Sequence, residues 1–422
     1  MSTQSFDVIV VGAGSSGLMA AINAAQQGAR VLLLEKNKKA GRKLLLSGGG
    51  RCNVTNRTTR EQLIQHIPGN GKFLYSALNQ FDQADIVQFF ESRGVTLKEE
   101  DHGRMFPTTN SARTILDTLL AELVALNVTI WYDAPVERVL YDKEQRCVSG
   151  VQLATGTTVL AKAIVLAVGG RAYPKTGATG DGYAWAKAAG HTIERLYPTE
   201  SPLLSHDSWI ADRSLQGLSL QDVAVTVWNA EHKAIVTHRM DMIFTHFGYS
   251  GPAILRCSGH VNQFLHASGA DSCQLSIDLC PKLSAEVLTQ QAESQRDKQL
   301  LTILKQWLPE RLAQQICIML EASADTPYKQ LSHAQQTQLT QLLKEFPLTA
   351  YGTQPIEKGF VTGGGVSTKE INPKSMASKK MAGLFFCGEL LDINGYTGGY
   401  NITAAFVTGT IAGQYAAWHS FS

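Results

Sequence analysis

Three glycines and one acid near the start of the chain have the spacing of a site for a dinucleotide. Gly12, Gly14 and Gly17 follow an apolar run, and a helix is predicted from Ser15. Gly12 permits a tight turn, Gly14 lets the backbone approach a pyrophosphate, and Gly17 lets the helix pack on the strand. Glu35 follows at the spacing from which a carboxylate accepts hydrogen bonds from a ribose 2′-hydroxyl. The Glu35 carboxylate would repel a phosphate at the 2′ position of the ribose, so the motif predicts FAD or NAD rather than NADP.

A glycine-rich segment, GRKLLLSGGGRCN at 41–53, follows the acid closely. Its glycines permit positive φ angles and close approach of a ligand to the backbone. Arg42 and Lys43 offer cationic donors for a diphosphate. The alternative is a flexible surface loop whose basic residues are merely solvated. Consecutive glycines are entropically costly to order, so we favour a ligand site.

A third candidate motif, GELLDINGYTGGYNI, occupies 388–402. A strand is predicted to end at Gly388-Glu389, and Gly398-Gly399 is predicted to open a last helix from about Ile402. Backbone N–H groups at such a helix start would favour an anionic reduced flavin through N1 and O2. An ordinary helix cap is the alternative.

The elements that would position these motifs predict an α/β fold. Short apolar runs at 7–11, 31–34, 163–168 and 383–387 indicate buried parallel strands, and 146–160 indicates a hairpin. We therefore expect a Rossmann-like domain with a parallel sheet, split between 1–195 and 351–422. The composition between them predicts an inserted domain at 196–350, with antiparallel strands followed by helices, which would cover the flavin as a substrate or cap domain.

The composition of the chain excludes several other classes. The 422 residues carry a formal net charge of +2, which does not indicate a nucleic-acid or membrane partner. Seven cysteines at irregular spacings, without a CxxC pair, argue against disulfides and a zinc site, so no metal is expected. No signal peptide or membrane span is recognised, and we expect a soluble, cytoplasmic protein.

Longer strings of sequence resemble one family over essentially the full length. The chain resembles the YhiN/BaiN-like FAD-binding flavoproteins, which include enzymes described as aminoacetone oxidases and as reductases of conjugated bile-acid double bonds. The strings that carry the resemblance are GAGSSGLMAA, GRKLLLSGGGRCNVTN, AVGGRAYPKTGATGDGYAWAKAAGH, THFGYSGPAIL, VTGGGVSTKEINPKSMASK and GLFFCGELLDINGYTGGYNITAAFVTG.

The resemblance implies that FAD is the cofactor and that the three motifs contact it, together with the backbone of Val136 at the adenine. Many related flavoproteins have an Asp that holds the ribityl chain where this chain has Glu389. A second fingerprint for NAD(P) is not visible. The predicted cofactor-binding residues are Gly12, Gly14, Ser15, Ser16, Gly17, Glu35, Lys36, Arg42, Lys43, Ser47, Gly48, Val136, Gly169, Gly388, Glu389, Gly399, Asn401 and Ile402.

These motifs predict an FAD-dependent oxidoreductase that performs two-electron transfer on a small organic substrate. One reaction is reduction of a conjugated double bond with NAD(P)H as a transient electron donor. The alternatives are an amine or aminoketone oxidase that forms peroxide, and a flavin-binding redox sensor that recruits a partner. No catalytic residue is assigned, because structural roles are the simpler interpretation of the reactive side chains near the motifs. These are Cys52, Cys387, His246, Tyr173, Tyr396 and Tyr400.

Overall fold

A computed structural model describes residues 4–142 and 144–422. The strands are β1 (Gln4–Val11), β2 (Val31–Leu34), β3 (Thr55–Asn56), β4 (Leu97–Glu100), β5 (Arg104–Pro107), β6 (Thr129–Trp131), β7 (Val136–Asp142), β8 (Cys147–Leu153), β9 (Thr158–Leu166), β10 (Ile193–Thr199), β11 (Leu203–Leu204), β12 (Ser219–Trp228), β13 (Ala234–Phe244), β14 (Gly248–Ser250), β15 (Cys273–Asp278), β16 (Phe346–Ala350), β17 (Gly352–Thr353), β18 (Val361–Val366) and β19 (Leu384–Phe386).

The helices are α1 (Ser15–Gln26), α2 (Arg60–Gln65), α3 (Tyr75–Leu78), α4 (Gln83–Glu91), α5 (Ala112–Ala125), α6 (Asp181–Ala188), α7 (Ser208–Ala211), α8 (Pro252–Ser268), α9 (Ala285–Glu293), α10 (Leu300–Leu304), α11 (Glu310–Met319), α12 (His333–Lys344) and α13 (Tyr400–Phe421). The chain divides into two compact units. The first runs to Tyr197 and resumes over Ile356–Ser422, and the second is Pro198–Pro355.

A parallel sheet organises the first unit. Its strands run in the order β6, β2, β1 and β9, and β19 pairs with β9 on the far side. All four residues of β2 are buried, as expected for a parallel strand covered on both faces. The sheet confirms the predicted Rossmann-like α/β fold.

On the side away from β1, strand β9 has two different partners along its length. Its first half pairs antiparallel with β8, and its second half pairs parallel with β19. The second strand of the predicted hairpin and the predicted buried strand beginning at Ala163 are both part of the single strand β9. The last helix likewise begins at Tyr400, two residues before the predicted start.

Helices α1 and α13 pack against each other at very short range. A Cβ atom at Gly409 would lie 2.2 Å from the carbonyl oxygen of Ser16, and one at Gly413 would lie 2.1 Å from that of Ala20. Two glycines one turn apart on α13 therefore let the two backbones meet. This contact fixes the start of α1, which belongs to the dinucleotide motif.

The second unit has a core of its own. Its seven strands form a sheet in the order β16, β15, β12, β13, β14, β11 and β17, in which every assigned pairing is antiparallel. Helices α7 to α12 also belong to this unit, and its buried apolar residues form a separate cluster. Antiparallel strands and helices are the content predicted for the middle of the sequence.

Candidate functional site

The carboxyl ends of the parallel strands gather the predicted residues at one edge of the sheet. Gly12 follows β1, Glu35 follows β2, Gly169 lies three residues after β9, and Gly388 follows β19 at a distance of two residues. In open α/β sheets this edge is where nucleotide ligands bind. Segments far apart in the sequence therefore meet at a single site.

Two of the three glycines in the first turn are required by packing, and the third is open. A Cβ atom at Gly12 would lie 2.6 Å from the oxygen of Ala167, and one at Gly17 only 1.8 Å from the oxygen of Gly12. A Cβ atom at Gly14 would have no atom within 4 Å. Gly14 is the N-cap of α1 and offers no side chain to the first N–H groups of the helix, at Ser15 and Ser16. The turn thus leaves room and donors for an anion.

Glu35 is buried, with 7% of its surface exposed. One carboxylate oxygen accepts a hydrogen bond from the N–H of Ala13 at 2.9 Å, and the other from the N–H of Asn37 at 2.8 Å. The Asn37 side chain accepts a bond from Arg42 Nη1 at 2.7 Å. Asn37 therefore links the acid to the basic motif, a role that the sequence analysis missed, although an amide two residues after the acid was a visible signal.

The backbone of Glu35 also locates Val136. The Glu35 N–H donates to the oxygen of Trp131 at 2.9 Å, and the Ala134 N–H donates to the oxygen of Glu35 at 3.0 Å. Val136 opens β7 two residues later. The structure therefore brings the predicted adenine and ribose contacts together.

The glycine-rich segment forms short helical turns over Leu44–Gly50. Gly48, Gly49 and Gly50 all have φ angles between 57° and 86°, a region that favours glycine. The Ser47 hydroxyl donates to the oxygen of Leu44 at 2.7 Å, which leaves its oxygen able to accept. Burial raises the pKa of the neighbouring Cys52 to about 12, against a hydrogen bond from Ser47 that lowers it, so this thiol stays protonated at neutral pH.

Lys43 and Glu389 form an ion pair across 346 residues of sequence, with Lys43 Nζ 2.7 Å from Glu389 Oε2. The other oxygen of Glu389 accepts a bond from the N–H of Thr362 at 2.8 Å. The pair joins the second and third motifs of the sequence analysis. Glu389 thus has a structural partner, and its contact with a ribityl chain stays a prediction.

The ammonium group of Lys36 points to the start of α6. It lies 2.6 Å from a carboxylate oxygen of Asp181 and 2.5 Å from the hydroxyl of Thr179. The nearby Gly177 leaves space for the Asn37 amide, which would lie 2.5 Å from a Cβ atom at that position. The loop before α6 therefore packs on the residues that follow β2, and a cofactor contact of the Lys36 side chain stays a prediction.

The turn after β19 contacts the dinucleotide turn directly. A Cβ atom at Gly388 would lie 2.4 Å from the hydroxyl oxygen of Ser16, and the Gly388 N–H donates to Thr408 Oγ1 at 2.9 Å. Cys387 is buried beside it, and burial raises the pKa of its thiol to about 12 despite a hydrogen bond from Ser16 that lowers it. Neither thiol is poised as a nucleophile.

The start of α13 is more constrained than the sequence suggested. A Cβ atom at Gly399 would lie 2.7 Å from the backbone carbonyl of Thr55, so packing alone explains this glycine. The Asn401 amide donates to the oxygen of Gly395 at 2.7 Å, and its oxygen accepts from the Gly395 N–H at 2.8 Å. Ile402 packs against the core. Roles of these three residues toward a flavin stay predictions.

The aromatic candidates have distinct surroundings. Tyr400 is buried and stacks on His66 with ring centroids 4.6 Å apart, and Tyr396 meets the same ring edge-on. Tyr173 stacks on Phe360. His246 is exposed in the second unit.

These residues fit a dinucleotide cofactor. The open space at Gly14 faces uncapped helix donors, and a buried carboxylate lies at the end of the next strand. In the described residues, no helix is both long and apolar enough to cross a lipid bilayer.

Comparisons with known proteins agree with this geometry. The family model described as HI0933-like protein Rossmann domain matches residues 6–415. A protein of Escherichia coli named ribosomal RNA dihydrouridine synthase is 33% identical over 95% of each chain, and its namesake in Haemophilus influenzae is 31% identical over 94% of this chain and 95% of its own. A 3-dehydro-bile acid delta(4,6)-reductase of Clostridium scindens is 28% identical over 97% of this chain and 98% of its own.

Solved structures share the fold. A 3-ketosteroid delta1-dehydrogenase from Sterolibacterium denitrificans aligns with a TM-score of 0.53 at 14% identity, over 99% of this chain and 100% of its own. A quinol-fumarate reductase aligns with a TM-score of 0.52 at 17% identity, over 100% of this chain and 72% of its own.

Proposed function

The chain belongs to the HI0933-like family of FAD-dependent oxidoreductases, and from this premise we propose that it reduces a carbon–carbon double bond conjugated to a carbonyl group. We propose as substrate a uridine of ribosomal RNA, whose C5=C6 bond is conjugated to the C4 carbonyl. The single observation that supports the substrate is the pair of full-length relatives named ribosomal RNA dihydrouridine synthase. The bile-acid reductase relative acts, by its name, on a different molecule.

The residues of the first unit would hold the cofactor for this reaction. The donors at the start of α1 would bind the diphosphate, and Glu35 would accept bonds from the adenosine ribose. The ion pair between Lys43 and Glu389 would keep the second and third motifs together around the cofactor. Reduced FAD bound by these residues would supply the hydride that one carbon of the double bond needs, and the other carbon would gain a proton.

The charge of each unit supports an RNA substrate better than the total charge does. The first unit holds 27 lysine and arginine residues against 21 aspartate and glutamate residues, and the second holds 11 against 15. The formal charges are therefore +6 and −4, which the total of +2 conceals. The total charge predicts no nucleic-acid partner, whereas the excess of positive charge on the first unit favours the RNA substrate that we propose.

A reconstituted reaction tests the proposal. The purified protein is reduced without oxygen by NADH, NADPH or, independently of any natural donor, dithionite, and then mixed with ribosomal RNA transcribed in vitro. We expect the flavin absorbance to return and digestion of the RNA to yield dihydrouridine by mass spectrometry. With NAD(P)H as donor, one NAD(P)H and one proton would be consumed for each uridine reduced.

The same experiment distinguishes the rival reaction. If aminoacetone or another amine reduces the flavin without NAD(P)H and peroxide accumulates in air, the protein is an amine oxidase. Absence of dihydrouridine after dithionite reduction, with the RNA intact, would overturn the proposed substrate. If a steroid 4-en-3-one is the only substrate converted, the protein is a reductase that acts on an apolar molecule rather than on RNA.

A further inference from the structure

Two aromatic rings of the first unit stack on each other at the protein surface. The rings of Tyr173 and Phe360 lie with centroids 5.9 Å apart and planes within 14° of parallel. Phe360 is 47% exposed, and Tyr173 is half-buried. About half of the surface of Phe360 is therefore accessible to a ligand.

Hydrogen bonds link the two segments that carry these rings. The hydroxyl oxygen of Thr362 accepts bonds from the N–H groups of Arg171 at 2.8 Å and Ala172 at 3.0 Å. These bonds connect the segment that carries Tyr173 with the segment that carries Phe360. Tyr173 itself has a φ of 59°, a conformation that non-glycine residues adopt only when their surroundings impose it.

The two segments that carry the rings also carry positive charge. Lys175 and Lys358 are exposed, and neither forms an ion pair with another residue in the described part of the chain. Arg171 lies 3.8 Å from Glu357, and both side chains are about half exposed. With three cations against one anion, these four residues give the two segments a net positive charge. A flat apolar face with free cations beside it has the character of a surface on which single-stranded nucleic acid stacks.

The pair of rings lies next to the residues assigned to the cofactor. Lys43 Nζ is 3.5 Å from the oxygen of Ala172, the residue before Tyr173, and its ion-pair partner Glu389 accepts a bond from the Thr362 N–H. The loops that carry the rings are therefore bonded to the motifs at the carboxyl edge of the sheet. A base stacked on the rings would be held close to that edge.

We propose that Tyr173 and Phe360 form a stacking platform for an unpaired base of the RNA substrate, with Lys175 and Lys358 contacting its phosphates. The proposal rests on the proposed function and deepens it by assigning substrate-binding residues. A steroid would use the apolar face but would gain nothing from the cations, so the charge favours RNA.

Equilibrium binding tests the platform without any measurement of turnover. The anisotropy of a fluorescein-labelled oligouridine of about 12 nucleotides is titrated with FAD-loaded wild type, Phe360→Ala, Phe360→Trp and Phe421→Ala. Phe421 is the matched control, because it is 54% exposed at the end of α13 and the substitution is the same. We expect Phe360→Ala to weaken binding by about 5- to 100-fold, and the other two variants to bind as the wild type does.

The salt dependence tests the cations separately. Lys358→Gln should reduce the slope of log affinity against log salt by about 0.7, the value for one phosphate contact on a single strand. Lys374→Gln, which removes another exposed lysine of the same unit, should leave the slope unchanged.

Each result has a defined meaning. Equal binding by Phe360→Ala and Phe421→Ala, or no binding of oligouridine by the wild type, would overturn the platform. The same holds if Phe360→Ala weakens only the binding of a steroid 4-en-3-one. Dihydrouridine formation by the wild type is measured independently. The stacking platform can therefore be disproved while the proposed function stands, and the proposed function can be disproved while oligouridine still binds to the platform.

Discussion

At the scale of single residues, the site consists of charged groups that already have partners. Glu35 accepts from two backbone N–H groups, Arg42 donates to Asn37, and Lys43 pairs with Glu389. Partners of this kind fix the side-chain rotamers before a ligand arrives, so less entropy is lost on binding. We therefore expect these residues to lose little conformational entropy when the cofactor binds.

Two glycine substitutions test whether the space beside a glycine holds the ligand or is needed for packing within the protein. Gly14→Ala should leave the unfolding midpoint of the apoprotein unchanged, because φ is −84° and the new methyl group has no atom within 4 Å. It should nevertheless weaken FAD binding about tenfold or more, because the methyl group enters the space assigned to the diphosphate.

Gly17→Ala is the matched control, and we expect it to lower the unfolding midpoint of the apoprotein. Its methyl group would lie 1.8 Å from the oxygen of Gly12, and overpacking of this kind destabilises a protein by about 1–3 kcal/mol. Thermal unfolding of the apoproteins and FAD titration measure both effects. If Gly14→Ala binds FAD as the wild type does, the diphosphate lies elsewhere.

At the scale of elements, a buried histidine joins the end of α6 to the segment before β19. His191 Nε2 lies 2.7 Å from the Ser378 hydroxyl, and Nδ1 lies 3.2 Å from Glu370. Burial lowers the pKa of His191 against the opposing effect of Glu370. Burial also raises the pKa of Glu370, but bonds from Lys380 and Thr192 outweigh it and hold that pKa at about 2.

These directions predict a loss of stability in acid. The unfolded chain protonates His191 near its ordinary pKa of 6.5, whereas the folded chain keeps it neutral to lower pH, so folding stability falls as the pH drops below 6.5. The contribution of Glu370 to folding stability is complete above its ordinary pKa of 4.5 and is lost as the pH falls toward 2.

Urea unfolding between about pH 7 and pH 5 should show a flatter dependence of unfolding free energy on pH for His191→Gln than for the wild type. The control His333→Gln, at an exposed histidine of α12, should keep the wild-type profile, and an equal profile for His191→Gln would contradict the assignment.

Local sequence patterns predicted these elements better than they predicted their partners. The glycine turn, Glu35 and the strand before Gly388 depend on residues that are neighbours in sequence, and the structure has each of them. The pairing of Lys43 with Glu389 joins residues 346 apart, and no local pattern encodes it. Gly399 shows the same limit, because its close neighbour is Thr55, which only the folded chain brings near.

At the scale of the whole molecule, all predicted cofactor contacts lie in the first unit, although its sequence is interrupted by the second. We propose that the second unit acts as the substrate or cap domain. Replacing Pro198–Pro355 by a short glycine-serine linker should then yield a yellow protein that retains FAD and loses turnover.

Absorbance of the purified protein and the dihydrouridine assay measure these two properties, and circular dichroism verifies that the shortened chain is folded. Loss of FAD from a folded variant would show that the second unit contributes to cofactor binding. Full turnover would show that it contributes nothing to catalysis.

The packing of α13 on α1 also sets an order of events during protein synthesis. Asn23 on α1 bonds to Thr410 on α13, 387 residues further along the chain. At about 5 to 20 residues per second, a ribosome takes about 20 to 80 seconds to make that stretch. Throughout this time the face of α1 that packs against α13 lacks its native cover. We therefore expect a chaperone or transient contacts within the nascent chain to cover this face until α13 is made and the start of α1 is fixed.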